Sequence, residues 1–314
     1  MFIAKKQKGK MKVIYGINKI IKFRNPVVAM GVFDGVHLGH KRILKEAVTR
    51  SKRIKGTSVV LTFDPHPQKE NSLYSLQHRI KLFQRIGIDV CIVISFDKRF
   101  SGISAEYFIK HILAKRISPR YVYIGENFTF GKNARGDFRL LKKLSSIYGF
   151  KLKVVEIIKV DGMPVSSTAI RRLILNGDLD GAAELLSRRV SVLGRVARGD
   201  CLATRLGFPT ANIIPQHEII PPSGIYAVKV ILKNKSLGGV CYIGTRPTFK
   251  KYLNTRGKRV EAHIFNFNKD IYSHDLEIQF IKKIRNDQKF CHPSDLIKVI
   301  KKDILKAKNI ISPH

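Results

Sequence analysis

Ala29-Met30-Gly31-Val32-Phe33-Asp34-Gly35-Val36-His37-Leu38-Gly39-His40 is the stretch from which the fold of this chain can be read. The run Val27 to Met30 is apolar without polar alternation and predicts a buried strand. Gly31 and Gly35 punctuate a turn, and Ile43, Leu44, Ala47 and Val48 then recur at helical spacing. His37 and His40 thus fall at the first turn of a helix. Unsatisfied backbone N–H groups and the positive end of the helix dipole favour an anion there. Three residues apart, the two imidazoles share a face, and Gly39 lets a ligand approach the backbone. The arrangement suits the phosphates of a nucleoside triphosphate. Read alone, the same histidines also suit a purely structural helix start.

The chain has 314 residues, room for two ordinary domains. With 44% apolar residues it can build cores, and no run is long and uncharged enough to be expected to span a bilayer. Residues 1–12 are Lys-rich, lack the apolar centre of a signal peptide and predict a basic disordered tail, with Met11 as an alternative start. Cys91, Cys201, Cys241 and Cys291 are widely spaced with no C-x-x-C pair. A zinc site or disulfide framework is therefore not expected, and a cytoplasmic location is. Lys and Arg number 59 against 23 Asp and Glu, a net charge of +36. Such a field attracts polyanions without selectivity. The lysines are spread along the chain rather than gathered with aromatics, so neither a specific nucleic-acid partner nor a membrane is expected. Composition says nothing of oligomeric state.

The first half alternates strands with helices. Val59 to Phe63, Val90 to Ser95, Tyr121 to Ile124 and Leu152 to Ile157 read as strands. Helical periodicity appears around Arg79 to Arg85, at Tyr107, Phe108, Ile112 and Leu113, and from Leu140 to Tyr148. That alternation predicts an α/β domain with a Rossmann-like parallel sheet, and it puts His37 and His40 at the carboxyl end of a strand, where ligands bind. Thr168 to Leu186 is helical, with Asn176-Gly177 as a stop and Asp178 as a fresh N-cap. Beyond Arg189 the texture changes to short strands: Val190 to Val196, Ile225 to Leu232, Gly239 to Ile243, Val260 to Phe267 and Leu276 to Ile281. These predict a small antiparallel β-barrel, closed by a helix over about Pro293 to Lys306. The expected domains are 13–186 and 187–314.

Several strand-end and helix-start segments carry chemistry. Thr62-Phe63-Asp64-Pro65-His66-Pro67 and Gly125-Glu126-Asn127-Phe128-Thr129-Phe130-Gly131 each follow a strand; alone, His66 and Asn127 are also good turn residues. Val165-Ser166-Ser167-Thr168-Ala169-Ile170-Arg171 opens a helix, where hydroxyls are ordinary N-caps. Gly207-Phe208-Pro209-Thr210-Ala211-Asn212 reads as a turn after a strand. In Val260-Glu261-Ala262-His263-Ile264-Phe265, alternation places Glu261 and His263 on one face and Ala262 and Ile264 on the other.

Taken together and in this order, from about Val13 to Asp303, these segments resemble the bifunctional riboflavin kinase/FMN adenylyltransferase (FAD synthetase) family. The resemblance implies a nucleotidylyltransferase domain followed by a riboflavin kinase barrel. It implies ATP and flavins as substrates, Mg²⁺ as cofactor, and two reactions: phosphorylation of riboflavin to FMN, then adenylylation of FMN to FAD with release of pyrophosphate. It assigns ATP to Gly31, Phe33, Asp34, His37, Gly39, His40, Ser167, Thr168 and Arg171, with His37 and His40 catalytic. Arg suits phosphate because its fork donates two charge-assisted hydrogen bonds. His66 and Asn127 become nucleotide or flavin contacts. In the kinase half it assigns substrate to Gly207, Phe208, Pro209, Thr210, Asn212, Arg285 and Phe290. The Thr210 hydroxyl and Asn212 amide oxygen are hard donors for Mg²⁺, and Glu261 becomes the base that takes the proton of a ribityl hydroxyl. The chain departs from the family pattern at Val32 (usually Asn), Ala203 (Gly), Thr204 (Arg) and Asp287 (Glu). One competing reading is that the Ala203/Thr204 change leaves only the adenylyltransferase competent; another is a basic RNA-binding or regulatory protein reusing the fold. Intact His37, His40, Arg171 and Glu261 speak against the latter.

Overall fold

Val27–Met30 is a strand with all four residues buried, as expected of a strand covered on both faces. In the computed structural model, residues 11–65, 72–198, 206–216, 218–233, 235–245, 258–290 and 292–312 are described. Contacts divide the chain into two units, Met1–Glu70 with Leu76–Ser166 and Asn71–Ser75 with Ser167–His314.

The first unit holds six strands, β1 (Lys12–Tyr15), β2 (Val27–Met30), β3 (Ser58–Asp64), β4 (Val90–Ser95), β5 (Tyr121–Gly125) and β6 (Lys151–Val155). They form one sheet in the order β1-β4-β3-β2-β5-β6, every pair parallel. Between them run α1 (Leu38–Arg53), α2 (Leu76–Ile86), the short α3 (Lys98–Ser101) and α4 (Ala105–Tyr107), a π-helical stretch Phe108–Ile117, and α5 (Phe138–Ile147). Ile43, Leu44, Ala47 and Val48 are the buried face of α1. The strand order steps one way from β2 to β3 and β4, and the other way to β5. The carboxyl end of the sheet between β2 and β5 is therefore the topological switch point, where open parallel sheets bind ligands. The expected basic tail runs too far at its end. Met11 is buried, and Lys12 pairs with Val90 because its N–H finds the Asp89 carbonyl at 2.9 Å. A two-stranded hairpin, β7 (Lys159–Val160) and β8 (Met163–Pro164), follows β6.

The second unit begins with α6 (Ser167–Asn176) and α7 (Leu179–Leu186). Gly177 separates them at φ 85°, and Asp178 caps α7 by accepting from Gly181 N at 2.9 Å. Contacts thus group both helices with the barrel, whereas the sequence reading keeps residues to 186 with the first domain. Six antiparallel strands follow: β9 (Ser191–Ala197), β10 (Ala211–Pro215), β11 (Gly224–Leu232), β12 (Lys235–Thr245), β13 (Lys258–Ile264) and β14 (Asp275–Arg285). They close a barrel in the order β10-β13-β12-β11-β14-β9, filled by residues such as Val192, Val228, Cys241, Ala262, Ile278 and Phe280. β10 is not among the expected strands; it starts within the hexapeptide expected to be a turn, with Ala211 and Asn212 as its first two residues, and it joins β13 to β9. α8 (Pro293–Ile311) packs on β11, β12 and β14. Among the described residues, no helix is long and apolar enough to cross a membrane.

Two candidate active sites

After β2 the backbone enters the left-handed region at Phe33 (φ 54°), Gly35 (φ 77°) and Val36 (φ 44°). Only glycine does so without strain, and such residues gather at ligand clamps. The strained turn delivers His37 as the N-cap of α1, its Nδ1 accepting from His40 N at 3.4 Å. The two imidazoles stack 3.6 Å apart at 22°. Buried Phe33 meets the His40 ring edge-on at 5.3 Å and Phe83 at 6.0 Å. A Cβ on Gly39 would lie 3.3 Å from the His37 ring, and one on Gly31 3.1 Å from the Phe33 ring. The first turn of α1 itself holds no acidic residue. The loop thus brings together Gly31, Phe33, buried Asp34, His37, Gly39 and His40.

Asn127 is exposed in the turn that follows β5, on the other side of the switch point from the β2 loop. His66 lies outside the described residues. Ser167 and Arg171 are half-buried and Thr168 exposed in the first turns of α6. That helix belongs to the second unit.

Sequence reasoning missed Arg79. It was read only as part of a helical period, yet its side chain is 1% exposed at the carboxyl edge of the sheet. Its Nη1 donates to Val32 O at 2.7 Å and to Thr62 Oγ1 at 3.0 Å. Its Nη2 donates to Phe63 O at 3.3 Å and to Asp64 Oδ1 at 3.2 Å. Burial pushes the guanidinium below its ordinary pKa, while Asp34 and Asp64 push it back up. An apolar period hides such a residue, because its partners come from loops far away in sequence. Val32 contributes its carbonyl, not its side chain, to this cluster.

In the barrel, β13 alternates as expected, with Val260, Ala262 and Ile264 inside. Glu261 is 8% exposed. In register it lies opposite Asn212 of β10 on one side and Tyr242 of β12 on the other. Directly opposed residues share a face, so Asn212, Glu261 and Tyr242 form a row across three strands. Arg259 forms an ion pair with Glu261. The Tyr242 hydroxyl donates to Asp287 at 3.0 Å; burial and then that carboxylate push it up to about 12. His263 Nδ1 lies 2.9 Å from Pro209 O, and its ring meets Phe208 edge-on at 6.2 Å. These contacts tie the Gly207–Thr210 turn to β13. Thr210 and Asn212, both half-buried, are oxygen donors leading into the Glu261 row, a set suited to a hard cation. Arg285 has a partner that the sequence does not reveal. Its Nε and Nη2 hold both oxygens of buried Asp303 at 2.8 to 3.1 Å, while its guanidinium lies 5.8 Å from the Phe290 ring centroid. Residues 199–205 and 246–257 lie outside the described residues, and with them Ala203 and Thr204.

A family model for FAD synthetase matches residues 20–169 and one for riboflavin kinase matches residues 186–311. The bifunctional riboflavin kinase/FMN adenylyltransferase of Buchnera aphidicola from Schizaphis graminum is 36% identical over 304 residues, covering 94% of this chain and 97% of that protein. Its counterpart in Escherichia coli K12 is 32% identical over 308 residues, 95% and 97% of the two chains. A solved structure titled a macrolide-efflux protein from Streptococcus pneumoniae superposes with a TM-score of 0.81 at 25% identity, covering 95% of this chain and 99% of that one. What is taken from it is the fold. Full-length matches on both halves decide the family: the chain belongs to the bifunctional riboflavin kinase/FMN adenylyltransferases.

Proposed function

We propose that this chain makes FMN and then FAD, phosphorylating riboflavin with ATP in the barrel and adenylylating FMN with a second ATP at the parallel sheet. The observation that carries this reading is that each unit has its own constellation of the expected residues. One is the His37/His40 helix start at the switch point, the other the Asn212–Glu261–Tyr242 row. The two family matches, 20–169 and 186–311, favour a domain boundary near 187. A cytoplasmic location accords with the cysteine pattern, Cys91 and Cys241 being buried free thiols.

In adenylyl transfer an oxygen of the FMN phosphate attacks the α-phosphorus of ATP. The bond from that phosphorus to the bridging oxygen breaks, and pyrophosphate leaves. The nucleophile is already ionised, so the work is alignment and neutralisation of charge on the phosphoryl oxygens. His37 and His40, the α1 N–H groups and Gly39 do this for the loop after β2. Ser167, Thr168 and Arg171 are proposed phosphate holders on α6, and His66 and Asn127 nucleotide or flavin contacts. In phosphorylation the Glu261 carboxylate accepts the proton of the ribityl hydroxyl as its oxygen bonds to the γ-phosphorus and ADP leaves. Thr210 and Asn212 would hold Mg²⁺, which neutralises charge on the phosphate oxygens when bound. Gly207, Phe208, Pro209 and Phe290 shape the substrate pocket, and Arg285 braces Phe290 from its bond to Asp303.

Purified protein incubated with riboflavin, ATP and Mg²⁺, with flavins separated by chromatography, tests the reading. FMN should appear first and FAD after it. His40→Ala should let FMN accumulate while FAD formation falls roughly 10²–10³-fold, the usual loss for one aligned charge-stabilising group. Failure of wild-type protein to convert supplied FMN to FAD would overturn the first site. Failure to make FMN would overturn the second.

A further inference from the structure

We infer that Arg79 is a positioning residue for adenylyl transfer, joining the β2 loop that bears His37 and His40 to the end of β3. The inference rests on reading Gly31–His40 as the ATP cradle. One planar guanidinium reaches Val32 O, Thr62 Oγ1, Phe63 O and Asp64 Oδ1 at 2.7 to 3.3 Å. Thr62 Oγ1 itself donates to Val32 O at 2.9 Å. The carbonyl just ahead of the strained turn is therefore held twice. Phe33 follows directly and Val36 comes four residues after Val32, both left-handed without being glycine. Such a backbone persists only where its surroundings over-determine it. An apolar residue on α2 would fill the same volume without burying a charge, yet it would leave Val32 O and Phe63 O without these donors. The fork geometry of Arg spans two loops at once, which Lys cannot do. Arg79 acts through the backbone of the cradle, and its effect should appear in the transfer step.

The test uses the full chain as wild type, Arg79→Met, Arg79→Lys and His40→Ala. For each, kcat and KM for ATP in FMN adenylylation are measured beside riboflavin phosphorylation and thermal unfolding. A displacement near 1 Å at a reacting centre lowers rate about 10²-fold, so Arg79→Met should lose about that factor in kcat with a smaller change in KM. Phosphorylation, in the other unit, should be retained. Arg79→Lys, with one donor head, should fall between wild type and Met. A folded Arg79→Met with near wild-type kcat, while His40→Ala is impaired, overturns the inference and leaves the cradle reading standing. Near wild-type transfer in His40→Ala overturns the cradle reading itself. If Arg79→Met does not fold, Arg79→Lys decides: a reduced kcat at unchanged melting temperature supports positioning, and wild-type kcat refutes it. Losses in both activities that track the unfolded fraction mark Arg79 as structural only.

Discussion

Gly39 shows what the cradle demands of a single residue. A methyl group there would meet the His37 ring at 3.3 Å, so the ring or the helix start must give by a few tenths of an ångström. Gly39→Ala should therefore cost FAD formation roughly tenfold, less than the 10² of a full 1 Å misplacement, and spare FMN formation; an unchanged rate of FAD formation would show that the His37 ring has room to move. Glu261→Gln tests the other site. Losing a general base costs about 10²–10⁴ in rate, so phosphorylation should collapse while supplied FMN still becomes FAD. Equal loss of both activities in folded protein would falsify the separation of sites. His37, His40 and Glu261 were legible in the sequence because each reveals itself locally, by helix-start spacing or by strand alternation. Arg79 and Tyr242 were not, since their partners lie 15 to 47 residues away for Arg79 and 45 away for Tyr242. Arg285 was legible as a residue of note but not in its partner, Asp303 of α8.

Elements were legible in proportion to how continuous their apolar pattern is. β2 is buried throughout and β4 in all but its last residue, Ser95, and both have the bounds expected from the sequence. β10 is five residues long, carries Asn212 and ends on Pro215; its identity as a strand comes from pairing with β9 and β13, which no local pattern reports. The segment 72–75 was equally silent. Glu218, 7% exposed, accepts from Ser75 N at 3.0 Å, from Ser75 Oγ at 2.8 Å and from Leu193 N of β9 at 2.8 Å. One carboxylate thus straps an outlying segment to the barrel. Glu218→Ala strips the acceptor from buried N–H groups, a loss of about 1–3 kcal/mol, and should lower the melting temperature of the second unit. An unchanged melting curve would mean that the strap contributes nothing. For the segment 199–205, restoring the family's residues by Ala203→Gly and Thr204→Arg should lower the kinase KM for ATP without affecting adenylylation; an unchanged KM would show that this loop does not limit ATP binding.

For the whole molecule, the succession of a parallel sheet and an antiparallel barrel was legible from the change in texture along the chain, because the two architectures write different periodicities into a sequence. The charge was legible in amount but not in purpose. At +36, the protein carries a field that draws in any polyanion, ATP and FMN included. Lysines spread over the whole chain give attraction without a reading surface, since base-specific contacts need side chains aimed at base edges. Binding to nucleic acid should then be weak, indifferent to sequence and governed by counterion release. Its logarithm should fall linearly as the logarithm of salt concentration rises. The measurement is binding of two unrelated RNAs at low and near-physiological salt, beside the KM for ATP over the same range. Both RNAs should lose affinity together and steeply. KM should rise far less if ATP is held, as proposed, at the α1 helix start, because close, oriented contacts are screened less than a diffuse field. Tight, selective binding that survives physiological salt would instead mean that the lysines are arranged, and would revive the nucleic-acid reading set aside on the sequence.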